Sequence, residues 1–233
     1  MATATKHKRS TKSTTEAWDK VRAAVKPNLT ELEAMPTHRE LYAWAKENNF
    51  NTQTLFPILK REWRKYGIEY DELRAATLNA EFREMTEAAE NAPELSLWIY
   101  TDAEHGVFAV SSDDGSSAWY GEFHEEDRIF RFDGDQVKAD LSAADKAVFL
   151  AGEARKEIGV PVVRLTLRTS NHEVTSDLLA KACLTHKVVV TVEVVDDENP
   201  ATEWVMQPGF ASWRDIRLDR LFEASEASEA DQE

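Results

Sequence analysis

The most restrictive feature of the sequence is the apolar run at residues 95–102, Leu-Ser-Leu-Trp-Ile-Tyr-Thr-Asp, which ends on a carboxylate. Its length and its aromatic and aliphatic side chains are typical of a buried strand. Strand-like runs follow at 107–111 and 118–124, and the Asp-Asp-Gly at 113–115 favours a hairpin between them. The sequence therefore predicts a three-stranded antiparallel meander.

Helical and strand patterns alternate after the meander. Continuous valine-rich runs of this kind fit the interior of a mixed or parallel sheet, because both faces of such a strand are covered. The predicted fold class is α+β or α/β, with a five-stranded mixed sheet and flanking helices. The elements predicted after the meander are a short strand at 129–132, a helix at 143–158, a strand at 160–167, a helix at 172–184 and a strand at 187–195.

Composition divides the rest of the chain. Residues 1–14 lack apolar periodicity and are predicted to be a disordered basic tail, and residues 223–233 repeat Glu-Ala-Ser and are predicted to be a disordered acidic tail. Helical patterns fill residues 15–92, and the breaker Asn-Ala-Pro at 91–93 ends them. We therefore predict a helical module at 15–92 and an α/β domain at 93–222.

Two short helical patterns inside the module are joined by a tight turn. Thr37 and Glu40 form a capping-box pattern that opens a helix to about residue 47. The turn Asn-Asn-Phe-Asn follows, and Asn51 or Thr52 can cap a second helix to about residue 66. Residues 37–66 therefore resemble a helix-turn-helix.

This resemblance implies that the second helix reads DNA. Side chains near its start suit base edges, and the cations later in the helix suit phosphates. Cations on the outer face of a helical hairpin also serve as a solvated surface with no ligand. The predicted DNA-binding residues are Gln53, Thr54, Lys60, Arg61, Arg64 and Lys65.

The distribution of charge favours the DNA-binding interpretation. The net charge is -15, yet residues 1–66 carry 13 Lys and Arg against 7 Asp and Glu, whereas the rest carries 15 against 36. A basic module suits phosphate binding, and an acidic one repels nucleic acid. We therefore expect a nucleic-acid-associated protein with DNA as its partner; the alternative is a protein-interaction module with a protein partner or a homodimer.

The sequence also bears on location and redox state. No run approaches the ~18 apolar residues of a membrane span, and no apolar segment follows the first basic residues. The single cysteine, Cys183, lies in an apolar helical pattern and is predicted to be a buried thiol. We expect a cytoplasmic protein that does not engage a membrane.

Strand, strand, strand, helix, strand, helix, strand is the element order of the ribonuclease H-like superfamily, which the second domain resembles in order and length. The resemblance implies two Mg²⁺ or Mn²⁺ ions held by carboxylates on the first strand, the first helix, the end of the fourth strand and beyond the fifth. Asp102 matches the first position, Glu153 the second, and Asp196 or Asp197 the last. The third falls on Ser170, a poor ligand, so the resemblance implies a catalytically degenerate domain.

A second resemblance within this superfamily implies an active site. Asp-x-Glu at 102–104 and the His-x4-Asp spacing at 172–177 are similar to motifs of proofreading-type 3'-to-5' exonucleases. A metal-dependent nuclease of either kind thus stays open, and the missing third ligand weighs against an enzyme. This resemblance implies metal binding by Asp102, Glu104, Asp145 and Asp177, with His172 activating water.

Overall fold

The structure, a computed structural model, describes residues 8–125, 127, 129–131, 133–196 and 198–222, with side chains from residue 15 onward. The chain divides into two compact units, Met1–Glu81 and Phe82–Glu233. The division falls inside a helix, whereas the sequence placed it after residue 92. None of the helices in these described ranges is long and apolar enough to cross a membrane.

Unit 1 is helical and is packed around aromatic side chains. Trp63 is fully buried at its centre, with the rings of Trp44, Phe56 and Tyr70 around it. Burial of so many aromatic rings stabilises a small helical unit, because each removes a large apolar area from water. The helices are α1 Lys8–Val25, α2 Leu29–Glu33, α3 His38–Glu47, α4 Leu55–Arg64 and α5 Tyr70–Ala88, of which α5 continues into unit 2.

The two predicted helices joined by a tight turn are present, with the second helix shifted. The predicted capping box is confirmed: the backbone N–H of Glu40 donates to Thr37 Oγ1, and the N–H of Thr37 donates to Glu40 Oε2, both at 3.3 Å. Thr52 Oγ1 accepts from the N–H of Leu55 at 3.1 Å, so Thr52 caps a turn and the helix begins three residues later. Gln53 and Thr54 therefore lie in the turn rather than inside the helix.

Helix α1 begins earlier than the sequence suggested. The prediction placed residues 1–14 in a disordered tail and began the helical module at residue 15, but residues 8–14 are helical. Adding a residue to an existing helix costs less than starting one, so the amphipathic part, which buries Val21 and Val25, extends into a polar stretch. Residues 1–7 and 223–233, also predicted to be disordered, lie outside the described residues.

Unit 2 contains the predicted five-stranded mixed sheet, in the order β3-β2-β1-β4-β5. The central strand β1 pairs antiparallel with β2 and parallel with β4, and β4 pairs parallel with β5. Strands β1, β4 and β5 thus share one carboxyl edge. The elements are β1 Glu94–Asp102, β2 Val107–Ser112, β3 Ala118–Glu122, α6 Gln136–Glu157, β4 Val163–Thr169, α7 Ser176–His186, β5 Val188–Val194 and α8 Ala201–Val205.

The two faces of the sheet are covered unequally. Alternate residues of β1, including Leu97 and Ile99, face the main core under α6 and α7, whereas Trp98 packs in a small cluster with Ala201 of α8. Helices α6 and α7 approach closely at Gly152, where an added Cβ would lie 2.6 Å from Cβ of His186. Such a Cβ would clash, so glycine permits this spacing.

Several predicted boundaries differ from the structure. Helix α6 begins at Gln136, where Asp135 caps it by accepting from the N–H of Lys138 at 3.2 Å, and not at residue 143. Helix α7 begins at Ser176, not at residue 172. Residues 129–131 form no strand; residue 132 lies outside the described residues. Cys183 is buried as predicted, and burial raises the pKa of its thiol to about 11.

Candidate functional sites

Helix α4, the predicted DNA-reading helix, packs one side into the core of unit 1. Four of its ten residues are buried, and the exposed stripe contains Pro57, Arg61 and Arg64. Gln53 and Thr54 are exposed in the turn before it. The surface open to a ligand is therefore narrow, with two polar side chains at one end and cations along the rest.

Three of the four predicted phosphate-binding cations are already paired. Lys60 Nζ lies 2.8 and 2.9 Å from the two carboxylate oxygens of Asp71. Arg64 Nε lies 3.0 Å from Glu69 Oε2, and this hydrogen bond raises the pKa of the guanidinium. Lys65 pairs with Glu62. Within the described part of the chain, Arg61 makes no ion pair.

Glu62 ties helix α1 to helix α4. Glu62 is 3% exposed. Its carboxylate lies 3.6 Å from Arg22 Nε and also forms an ion pair with Lys65. Lys65 Nζ also lies 4.9 Å from the ring centroid of Trp18 on α1. Lys65 thus takes part in internal packing, so it is a weaker candidate for phosphate binding than Arg61.

In unit 2, Asp102 ends β1 as predicted and pairs locally. Its carboxylate accepts from the backbone N–H of His105 at 3.0 Å and lies 2.6 Å from His105 Nδ1. The backbone and side-chain hydrogen bonds from His105 lower the pKa of Asp102, and the hydrogen bond to Asp102 raises the pKa of His105. The predicted metal ligand Asp102 is therefore already hydrogen-bonded to His105, a residue that was not among the predicted ligands.

The ribonuclease H-like ligand set does not converge. Gln136, at the start of α6, contacts Thr101 beside Asp102, but Glu153 lies 17 residues further along the helix, about 25 Å at 1.5 Å per residue. Glu153 instead pairs with Lys156 at 2.5 Å. Asp102 and Glu153 are therefore not brought together, because Glu153 lies far along α6 from the turn that contacts β1.

The remaining members of that set lie at the carboxyl edge without meeting Asp102. Asp196 follows β5 and Ser170 follows β4, so both are at the same edge as Asp102. Strand β4 separates β5 from β1, which puts Asp196 about 10 Å to the side, at ~4.8 Å per strand spacing. Asp197 lies outside the described residues.

The exonuclease set is also dispersed. Glu104 and His172 are exposed in turns, and Asp177 is exposed in the first turn of α7. Asp145 is nine residues along α6 from Gln136, about 14 Å from the edge where Asp102 lies. Among the described residues, no three His, Cys, Asp or Glu side chains are grouped so as to hold a metal.

The carboxyl edge instead contains a buried polar cluster around Asp140, which the sequence analysis missed. Asp140 Oδ1 accepts from Thr101 Oγ1 at 2.5 Å and from Gln136 Nε2 at 3.0 Å. Its Oδ2 accepts from Asn171 Nδ2 at 2.7 Å. The Asp140 cluster, Asp140 with Thr101, Gln136 and Asn171, thus joins β1, the start of α6 and the end of β4.

The chemistry of this cluster is that of a structural clamp. Asp140 is 7% exposed, and both of its oxygens are taken by neutral donors of the protein. A single carboxylate surrounded by amides and a hydroxyl lacks the several hard oxygen ligands that two-metal chemistry needs. The available signal was Asp135, which as a helix cap would have placed Asp140 in the second turn of α6.

The face of the sheet away from α6 and α7 contains an open cleft of about 770 Å³. Arg168 lies in it, paired with the buried carboxylate of Asp113 and 3.1 Å from Glu193. Trp98 Nε1 donates to Asp113 at 2.8 Å. These groups satisfy one another, so the cleft holds an internally neutralised cation.

Comparison of the chain with protein-family profiles, with curated proteins and with solved structures found no match.

Proposed function

We propose that the protein binds duplex DNA through unit 1, with Arg61 and Arg64 on phosphates and Gln53 and Thr54 near base edges. The supporting observation is that these four side chains are all exposed, on α4 and on the turn that precedes it. An exposed turn and helix of this kind can enter the major groove, and Gln and Thr can bond base edges there. Lys60 has a smaller part because its side chain is 29% exposed against 57% for Arg64, and Lys65 because it packs between Glu62 and the ring of Trp18.

We further propose that unit 2 is a ribonuclease H-like scaffold without two-metal catalysis. Its element order is the one on which the resemblance rests. The dispersion of Asp102, Glu153 and Asp196 and the closed Asp140 cluster support the absence of a nuclease site. Cleavage of single-stranded or hybrid substrates with Mg²⁺ or Mn²⁺ that disappears in Asp102→Asn would contradict this part of the proposal.

Binding is tested with the full chain and a labelled DNA duplex, by fluorescence anisotropy over a series of salt concentrations. Arg61→Gln with Arg64→Gln should weaken binding and flatten the plot of log K against log salt by about 1.8, since each phosphate contact contributes ~0.9. The matched control is Lys46→Gln with Arg74→Gln, which removes the same charge from exposed positions of unit 1. Equal effects of the two double variants would mean that DNA responds only to the net charge of unit 1 and not to α4, which would contradict the proposal. Absence of binding at low salt would also contradict it.

A further inference from the structure

The carboxylates opposite α4 occupy the atoms that phosphates would need. Asp71 presents both oxygens to Lys60 Nζ, and Glu69 accepts from Arg64 Nε. A carboxylate and a phosphate oxygen satisfy lysine and arginine donors in the same way, by charge-assisted hydrogen bonds. While these contacts last, neither donor is fully available to DNA.

The fold holds the two carboxylates in place. Gly67, at φ +78°, reverses the chain after α4, and the N–H of Ile68 donates to the carbonyl of Trp63 at 3.2 Å. Ile68 and Tyr70 are both buried in the aromatic core. Because the residues on either side of Glu69 are anchored inside, its side chain is held near α4.

We infer that Glu69 and Asp71 act as an internal competitor of DNA phosphate, so that the free protein is partly autoinhibited; this rests on the DNA binding proposed above. DNA must displace both carboxylates before Lys60 and Arg64 reach the backbone. The carboxylates then also repel the phosphates that replace them. Binding of the unmodified chain is therefore weaker than the cations of α4 alone would give.

The competition is reversible because both contacts are at the surface. The side chain of Asp71 is 53% exposed and that of Glu69 is 35% exposed. Exposed ion pairs are individually weak and are screened by salt. We therefore expect a graded reduction of affinity, about three- to tenfold at low salt, rather than a complete block.

The test uses the full chain and the same anisotropy measurement. Glu69→Gln with Asp71→Asn keeps side-chain size and removes two negative charges that contact α4. The control, Glu84→Gln with Glu87→Gln, removes two exposed charges further along α5 that make no ion pair in the described part of the chain. Circular dichroism melting verifies that each form is folded, and the two single variants, each of which should give part of the gain, replace the double variant if it is not.

The inference predicts that Glu69→Gln with Asp71→Asn binds about three- to tenfold more tightly than the control pair and with a steeper salt dependence. If the unmodified chain binds DNA and the two pairs behave alike, the internal competitor is ruled out while the proposed function stands. If no form binds at low salt, both are ruled out. Binding that appears only after Glu69 and Asp71 are neutralised would contradict both, because the unmodified chain is expected to bind and the competition is expected to be graded.

Discussion

Asp140 in unit 2 and Asp71 in unit 1 accept hydrogen bonds at similar distances but in opposite surroundings. Asp140 is buried, and its three partners are neutral groups from β1, α6 and the end of β4. Asp71 is half exposed, and its partner is one lysine on the neighbouring helix. The distances therefore do not show which interaction contributes more to stability, whereas the exposure of each carboxylate to water does.

The difference shows which carboxylates hold the fold and which remain free to exchange partners. A buried donor left without an acceptor keeps its desolvation penalty, whereas an exposed lysine that loses its partner is hydrated. Glu62 lies between these extremes, since it is buried but its cations Arg22 and Lys65 reach water. Substitutions at these three carboxylates should therefore form a graded series.

Asp140→Ala should have the largest effect. It leaves Thr101 Oγ1 and Asn171 Nδ2 without this acceptor, whereas Gln136 Nε2 still donates to Thr101, and we expect a loss of about 2–4 kcal/mol in the free energy of unfolding. Urea unfolding followed by far-UV circular dichroism measures this, with the exposed Asp196→Ala as the control. A loss no larger than that of the control would show that the Asp140 cluster is not a clamp.

Glu62→Gln should have an intermediate effect. The amide keeps an acceptor in the buried position but loses the charge that Arg22 and Lys65 contact, so we expect a loss of about 1–2 kcal/mol. The same urea experiment applies, with the exposed Glu47→Gln for comparison. A loss equal to that of Asp140→Ala would mean that hydration of Arg22 and Lys65 does not reduce the loss of stability in the variant.

Asp71→Asn should change stability least, by about 0.2–1 kcal/mol, because Lys60 remains solvated when the pair is broken. Urea unfolding beside Glu84→Gln gives the comparison. A loss above about 2 kcal/mol would make Asp71 a structural residue and would erase its contrast with Asp140.

The exposed pair of Asp102 and His105 provides a test by titration. Asp102→Asn should return the pKa of His105 from its raised value towards the ordinary 6.5, as followed by NMR of the imidazole protons. The raised pKa of His105 means that its share of stability is present below 6.5 and is lost as pH rises through the folded value. The lowered pKa of Asp102 means that its share is present above 3.8 and is lost as pH falls through the folded value. An unchanged His105 pKa in the variant would show that the two side chains do not interact in solution.

Strands were the most predictable part of the fold. The run at residues 95–102 and the valines before residue 195 are continuous and rich in aliphatic, β-branched or aromatic side chains, so β1 and β5 lie within one residue of their predicted starts. Helix α6 was harder, because Ser142 with Asp145 imitates a helix start while the true cap, Asp135, lies in a polar stretch. Ser142 is in fact buried inside the helix.

The contacts at the candidate sites could not be predicted from local pattern. Asp140 meets Thr101, 39 positions away, and Asn171, 31 positions away, and these distances in sequence leave no periodic signal. The pairing of Lys60 with Asp71 depends on the turn at Gly67, a residue type typical of helix ends, and on the buried anchors around Glu69, which no local pattern indicates. Residue types on α4 were therefore foreseeable, but their partners were not.

The close approach at Gly152 limits how this chain can diverge. A saturation library at that position should tolerate few substitutions, since even alanine would place a Cβ 2.6 Å from that of His186. Lys187 alone joins α7 to β5, in a left-handed conformation at φ +59°. A side chain at position 152 therefore forces α7 and the edge strand to shift together, so relatives without this glycine should differ in the placement of that whole flank of the sheet.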